Sequence, residues 1–229
     1  MRMATGQVGA AVAWLLAAWL GLLGMAANAQ PVVEAVTRMA SASAPDVQAG
    51  DRLLRARGPG GEFAFDSIAA VVRFQWQVLP LAPAELEVER EGKRRWIAWT
   101  PMSVELQLRP APEARGPLAD LDTALLALRA TRELPQSESG RKAWAEAWAL
   151  VSQTPALAEW RAFTAIYAAR AALMARGAGD EVLARLAMLD RVTVDPVLGA
   201  AGEEARVRVW MERRELDRIV ASLASLAAR

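Results

Sequence analysis

The chain has 229 residues, 27 Lys and Arg against 26 Asp and Glu, and neither cysteine nor histidine. So even a charge balance gives no long-range attraction toward nucleic acid or an anionic membrane surface. Without Cys and His there is no disulfide, no Cys/His zinc or haem site, and no Ser-His or Cys-His nucleophile.

Arg2 is the sole charged side chain before Glu34. An apolar run from Val8 to Ala27 follows it and ends at Ala27-Asn28-Ala29, just before Gln30. A positive end, an apolar stretch and a small-x-small exit are the parts of a signal peptide. Residues 1–29 are therefore expected to be a cleaved leader and the chain to be exported, into the periplasm of a bacterium. The run approaches the roughly 20 residues that span a bilayer, so membrane contact is expected only through an uncleaved leader. Beyond it acids and bases are equal in number. The lysines are Lys93 and Lys142 alone, a bias that with the abundant alanine points to a GC-rich bacterial genome.

From Gln30 to about Pro110 the signals are short and strand-like. Val32 to Val36 opens a strand, Ser41-Ala42-Ser43-Ala44-Pro45 reads as loop, and Arg52 to Ala56 follows the Gly50-Asp51 turn. Gly58-Pro59-Gly60-Gly61 is expected to be an irregular exposed loop. Asp66 is placed to cap a helix carrying Ile68, Val71, Val72 and Trp76 at helical spacing, ended by Leu79-Pro80-Leu81-Ala82-Pro83. Leu86 and Val88 alternate with Glu85, Glu87 and Glu89, a period-two strand whose carboxylates are expected to face solvent. Glu91-Gly92 supplies a hairpin turn and Trp96 to Trp99 the returning strand. Trp96 and Trp99 have opposite strand parity, so one of them belongs near a surface or a seam. Val104, Leu106 and Leu108 suggest one more strand.

This order of elements resembles a bacterial PDZ-type domain. The matching residues are Val32 to Val36, Ala49-Gly50-Asp51-Arg52-Leu53-Leu54, Phe65 to Trp76, and Leu86 to Trp99 with Glu89-Arg90-Glu91-Gly92-Lys93 at the hairpin. The carboxylate-binding loop of such domains precedes the first strand, and after the expected leader almost no chain precedes Val32. The resemblance implies a small sheet-plus-helix domain that binds a peptide by strand addition. Val32, Val33, Phe65, Ile68 and Val72 are the expected groove residues.

Residues 111–117, within Arg109-Pro110-Ala111-Pro112-Glu113-Ala114-Arg115-Gly116-Pro117, read as a proline-rich linker. The remainder, 118–229, is helical. Pro117 suits a first helical position, and Leu118, Leu121, Leu125 and Leu128 follow at 3–4 spacing. Trp144, Trp148 and Val151 share a face after the break at Pro135 to Gly140. Thr154-Pro155 restarts the chain, with Leu157, Trp160, Thr164, Tyr167, Ala171 and Met174 in heptad fashion until Gly177-Ala178-Gly179. Asp180 is expected to cap a short helix and Asp195-Pro196 to open a last segment striped with Val207, Trp210, Ile219, Leu223 and Leu226. Paired helices with Trp and Ala at their contacts are similar to tetratricopeptide-like solenoids, although Pro155 and Pro196 are 41 residues apart rather than about 34. The fold class expected is α+β, a small PDZ-like sheet-plus-helix domain over 30–110 followed by an all-α bundle or short solenoid.

Chemistry is sparse. Gly58-Pro59-Gly60-Gly61 leads into Glu62, with no Lys or Ser/Thr to hold a phosphate. Lys93 and Lys142 read as solvated side chains rather than halves of a Ser/Lys dyad. No catalytic residue, metal or cofactor is expected. The function read from the residues is an exported, non-enzymatic interaction module with a peptide or protein partner and no nucleic acid. The alternative is the periplasmic input portion of a larger envelope sensor.

Overall fold

Residues 30–38, 46–77, 83–99 and 104–227 are described in a computed structural model of the chain. The leader 1–29, the loop 41–45 and the helix-ending residues 79–82 lie outside them. The fold is α+β, a six-stranded antiparallel sheet with one helix against it, followed by a helical region. The strands are β1 (Val32–Arg38), β2 (Arg52–Gly58), β3 (Gly61–Ala64), β4 (Ala84–Arg90), β5 (Lys93–Trp99) and β6 (Val104–Arg109). Their order is β5-β4-β2-β1-β6, with β3 paired to β2 beside that line.

The expected loop at Gly58 to Gly61 is instead a tight hairpin. Gly58 pairs with Gly61 across Pro59-Gly60, and Gly60 takes φ 97°, a conformation a Cβ would strain. Further along, β2 carries a bulge between Leu53 and Arg55. The extra residue, Leu54, lets Leu53 and Ala56 both face inward despite their odd spacing. With Val33, Phe65, Ile68, Val71, Phe74, Leu86, Val88, Ile97 and Trp99 they form the first core. Phe74 is its hub, with ring centroids 5.1, 5.5 and 6.3 Å from Phe63, Phe65 and Trp99.

The helix against the sheet, α1 (Ile68–Gln77), has two apolar sides. Ile68, Val71 and Phe74 enter the sheet's core, while Ala69, Val72 and Trp76 pack into the helical one. That second core is built by α2 (Pro117–Ala130), α3 (Glu138–Gln153), α4 (Arg161–Ala172, after a 3-10 turn at Pro155–Trp160), α5 (Gly179–Leu186) and α6 (Pro196–Arg213), and α7 (Leu216–Ala227) follows, packed on α6.

Local capping sets most of these starts. Pro117 stands in the first turn of α2, Ser137 accepts from Gly140 N at 3.1 Å, and Asp195 accepts from Val197 N and Leu198 N at 3.1 and 3.0 Å. Asp180 departs from expectation: Ala178 holds the cap position and Asp180 pairs with Arg213 at 2.7 Å. The last apolar segment is two helices because Arg214 takes a left-handed φ of 59°.

Helices α2–α3, α4–α5 and α6–α7 form three successive hairpins, and the first helix of each following hairpin packs on both helices of the one before. Helix α1 lies across α2, α4 and α6. Trp76 meets Phe163 and Tyr167 of α4 with ring centroids at 5.1 and 6.2 Å, and Arg73 reaches Asp195 at 3.4 Å. The join at 111–117 is docked rather than free, since Ala111 is buried and Glu113 pairs with Arg52 at 2.6 Å. It separates two stretches of chain, but α1 belongs to both cores. Among the described residues no helix is long and apolar enough to cross a membrane.

The N-terminus of α1 is capped from a distance. Asp66 is exposed; Asp122 of α2 instead accepts from Ile68 N at 2.8 Å and Ala69 N at 3.1 Å, and Ser67 Oγ accepts from Ala70 N. Asp122 is 1% exposed. Burial raises its pKa from the ordinary 3.8 to about 7; the two N–H bonds oppose that rise and the nearby Asp66 charge adds to it. The folded pKa lies above the unfolded one, so this group's contribution to stability is complete below pH 3.8 and is lost as pH rises through about 7. Asp122→Asn keeps an acceptor but cannot titrate. Stability of the wild type relative to that variant is expected to grow by about 2–3 kcal/mol between roughly pH 8 and pH 5, measured from urea midpoints. A difference that stays constant over that range removes the assignment.

Candidate functional site

The two motifs Gly50-Asp51 and Glu89 to Lys93 meet because β2 and β4 are neighbours, with Arg52 opposite Glu89. Gly50 turns the chain at φ 92° and delivers Asp51 to a position with 0% exposure. The Asp51 carboxylate accepts from Arg90 Nε at 2.6 Å, Arg90 Nη2 at 2.7 Å and Gln48 N at 2.9 Å. Arg90 also donates to the Asp46 carbonyl at 2.7 Å, and its pKa is raised, first by the hydrogen bond to Asp51. This bidentate pair clamps the loop before β2 onto the β4–β5 hairpin. Its role is to hold backbone in place.

The five expected groove residues are brought together, but inside the molecule. Val32, Val33, Phe65 and Ile68 are 6, 1, 1 and 4% exposed, and Val72 is half-buried against both cores. One edge of β1 is paired with β6 along its length and the other with β2 at Val32, and the side of α1 away from the sheet is covered by α2, α4 and α6. A peptide could reach these side chains only by displacing core residues.

On the other face of the sheet, side chains line up in three cross-strand rows. Arg52, Glu89 and Arg94 form one, Arg55, Glu87 and Trp96 the next, and Arg57, Glu85 and Ala98 the third. Arg55 donates to Glu87 at 2.7 Å and to Glu62 at 2.8 Å, and Arg57 pairs with Glu85. Arg57 and Arg55 lie over the Trp96 ring at 4.4 and 5.4 Å. Thus the carboxylates read as a solvated fringe are a charge ladder, and Glu87 is buried in it. Hydrogen bonding from Arg57 is the first cause holding the Glu85 pKa below its ordinary value, so this carboxylate stays a charged acceptor rather than a proton donor. The ladder ties β2, β4 and β5 together across their outer face.

The ladder ends at an open edge. Glu91 at φ 52° and Gly92 at φ 72° make a two-residue turn of the primed type, which makes Arg90 and Lys93 a hydrogen-bonded pair. Alternation along β5 then turns the N–H and C=O of Arg94, Trp96 and Ala98 away from β4. Pairing between β4 and β5 runs without a bulge to Ala84 and Trp99, and no described strand lies on the outer side of β5. Beside Ala98 is a shallow depression of about 500 Å³ lined by Arg57, Glu62, Pro83 and Glu85 among others. At the opposite end of the same edge, Lys93, Arg94 and Arg95 are exposed.

No protein-family model, curated protein or solved structure matches the chain. The geometry therefore offers β5, one of the sheet's two terminal strands with β6 at the other end, as the candidate site. Sequence reading found the strand and its Trp96 but not its edge position, which depends on strand order. The parity of Trp96 and Trp99 was the available signal: Trp99 enters the core at 1% exposure and Trp96 is left on the outer face.

Because Asp51 is fully buried and the Arg90 side chain is only 15% exposed, breaking the pair leaves a largely desolvated charge without its partner. Asp51→Asn is expected to cost about 3 kcal/mol of folding stability, and adding Arg90→Met to recover part of that loss. Urea unfolding of the single and double variants measures both. A single-variant cost within about 0.5 kcal/mol, the range of ordinary surface changes, defeats the clamp.

Proposed function

We propose that the protein is an exported, non-enzymatic interaction module that holds an extended segment of a partner protein by strand addition to β5. The observation that carries this reading is the unbulged outer edge of β5, whose backbone donors and acceptors at Arg94, Trp96 and Ala98 face no described strand. Edge strands with unpaired groups template the pairing of another chain, and such pairing supplies affinity while side-chain pockets supply selectivity. The export half of the proposal rests on the composition of residues 1–29. The resemblance to PDZ-type domains supports the mode of binding, with its place moved from β1 and α1 to the far side of the sheet.

The surroundings of the edge define the partner's chemistry. The exposed Lys93, Arg94 and Arg95 favour acidic residues at one end of the segment. Toward the other end, a side chain lying beside Ala98 meets the depression between Arg57, Glu62 and Glu85. The charge ladder under Trp96 holds this surface flat, so the edge is preorganised rather than formed on binding.

Ala98→Pro tests the site without breaking the sheet, because its N–H points outward and proline is tolerated on an open edge. A phage-displayed library of extended decapeptides is expected to yield acidic binders of micromolar affinity. Their affinity for Ala98→Pro should fall about tenfold, the loss of about one hydrogen bond, with the melting temperature kept. A library without binders, or binders indifferent to Ala98→Pro, rejects the proposal.

A further inference from the structure

Helix α7 ends the row of hairpins, and its outward side is apolar. Leu216, Val220 and Leu223 recur at i, i+4 and i+7 and are 69, 66 and 53% exposed, and Met211 at the end of α6 is 63% exposed. No charged residue occurs between Ile219 and Ala227. Single exposed apolar residues are ordinary, but a contiguous row of them marks a contact surface. Among the described side chains of α7, Ser222 is buried, with Oγ donating to the Glu203 carboxylate.

The hairpins themselves show what covers such a face. Helix α4 lies over α2 and α3, and α6 lies over α4 and α5. The covering helices present small and branched residues inward: Ala162, Ala165 and Ala169 from α4, and Leu198, Gly202, Ala205 and Val209 from α6. Where an array of this kind ends, its outer face is usually polar. Helix α7 has the face of an internal member, one that is covered by another helix.

We propose that this cover is a second copy of the chain, the two α7 helices crossing antiparallel about a two-fold axis near Val220. A two-fold contact must be self-complementary, and a segment free of charge from Ile219 to Ala227 satisfies that condition. An antiparallel crossing lays Leu216 of each copy along the apolar C-terminal half of the other. Glu215 in the same turn is already tied to Arg218 at 3.0 Å and to Arg213 at 3.9 Å. A parallel crossing would instead set Asp217 against Asp217. At 1.5 Å per residue α7 is about 18 Å long, which falls short of the ~800 Å² per partner of a standard interface. The dimer is accordingly weak and concentration-dependent. This surface is separate from the β5 edge and does not rest on its function.

The chain has no cysteine, so Val220→Cys places a single thiol in the full-length protein at the proposed axis. Under mild oxidation this variant is expected to form a disulfide-linked dimer about tenfold faster than Glu146→Cys, a control at an exposed site on α3. Association through residues 1–29 would raise both rates equally. Adding Leu223→Asp to Val220→Cys should return cross-linking to the control rate, with an unchanged thermal melt because Leu223 is solvent-exposed. Val220→Cys cross-linking no faster than the control overturns the proposal. So does cross-linking that Leu223→Asp leaves unaltered while the melt is unchanged.

Discussion

The Asp122 carboxylate closes the N-terminus of a helix laid down 54 positions earlier in the chain. A helix start has backbone N–H groups with no partner inside the helix, and burying them unpaired is costly. Helix α1 has no acid in its own first turn. Taking the acceptor from α2 couples the formation of α1 to the docking of the helical region. A cap from Asp66, next to α1 in the chain, would have provided no such coupling. The low dielectric that makes Asp122 costly as an anion also makes its two hydrogen bonds strong.

With α1 fixed in this way, its ten residues serve both sides at once. Phe74 fills the sheet's core while Trp76 fills the side formed by α2, α4 and α6. The place where a peptide groove was expected, between β1 and α1, is therefore spent on holding the molecule together. What stays available lies at its periphery, at the open edge of β5 and the outward face of α7. The bidentate pair of Asp51 with Arg90, and the arginine–glutamate rows around Trp96, stiffen the sheet out to that edge. A sheet edge recognises partners through backbone geometry, so rigidity there is what selectivity needs.

How much was legible from residues alone followed from the range of the forces involved. Period-two alternation in Leu86 and Val88, the Glu91-Gly92 turn, Pro117 and the Asp195 cap are local matters of backbone sterics and nearest-neighbour hydrogen bonds. They read correctly because nothing distant competes with them. The hairpin at Gly58 to Gly61 was missed because β3 exists only by pairing with β2. Asp122 was hidden by its setting, an acid among Leu118, Leu121, Leu125 and Leu128. That placement is itself a signal, since an ionisable side chain in a buried stripe requires a partner.

The amino-acid sequence by itself determined the α+β division, most element boundaries, the turn chemistry and the narrow range of reactions open to a chain without Cys or His. Tertiary structure decided which strand is an edge, which helix faces are covered, and that Gly50-Asp51 and Arg90 form one clamp. Burial and strand order are properties of the whole packed chain. Periodicity tells which residues share a face, and only packing tells what that face meets.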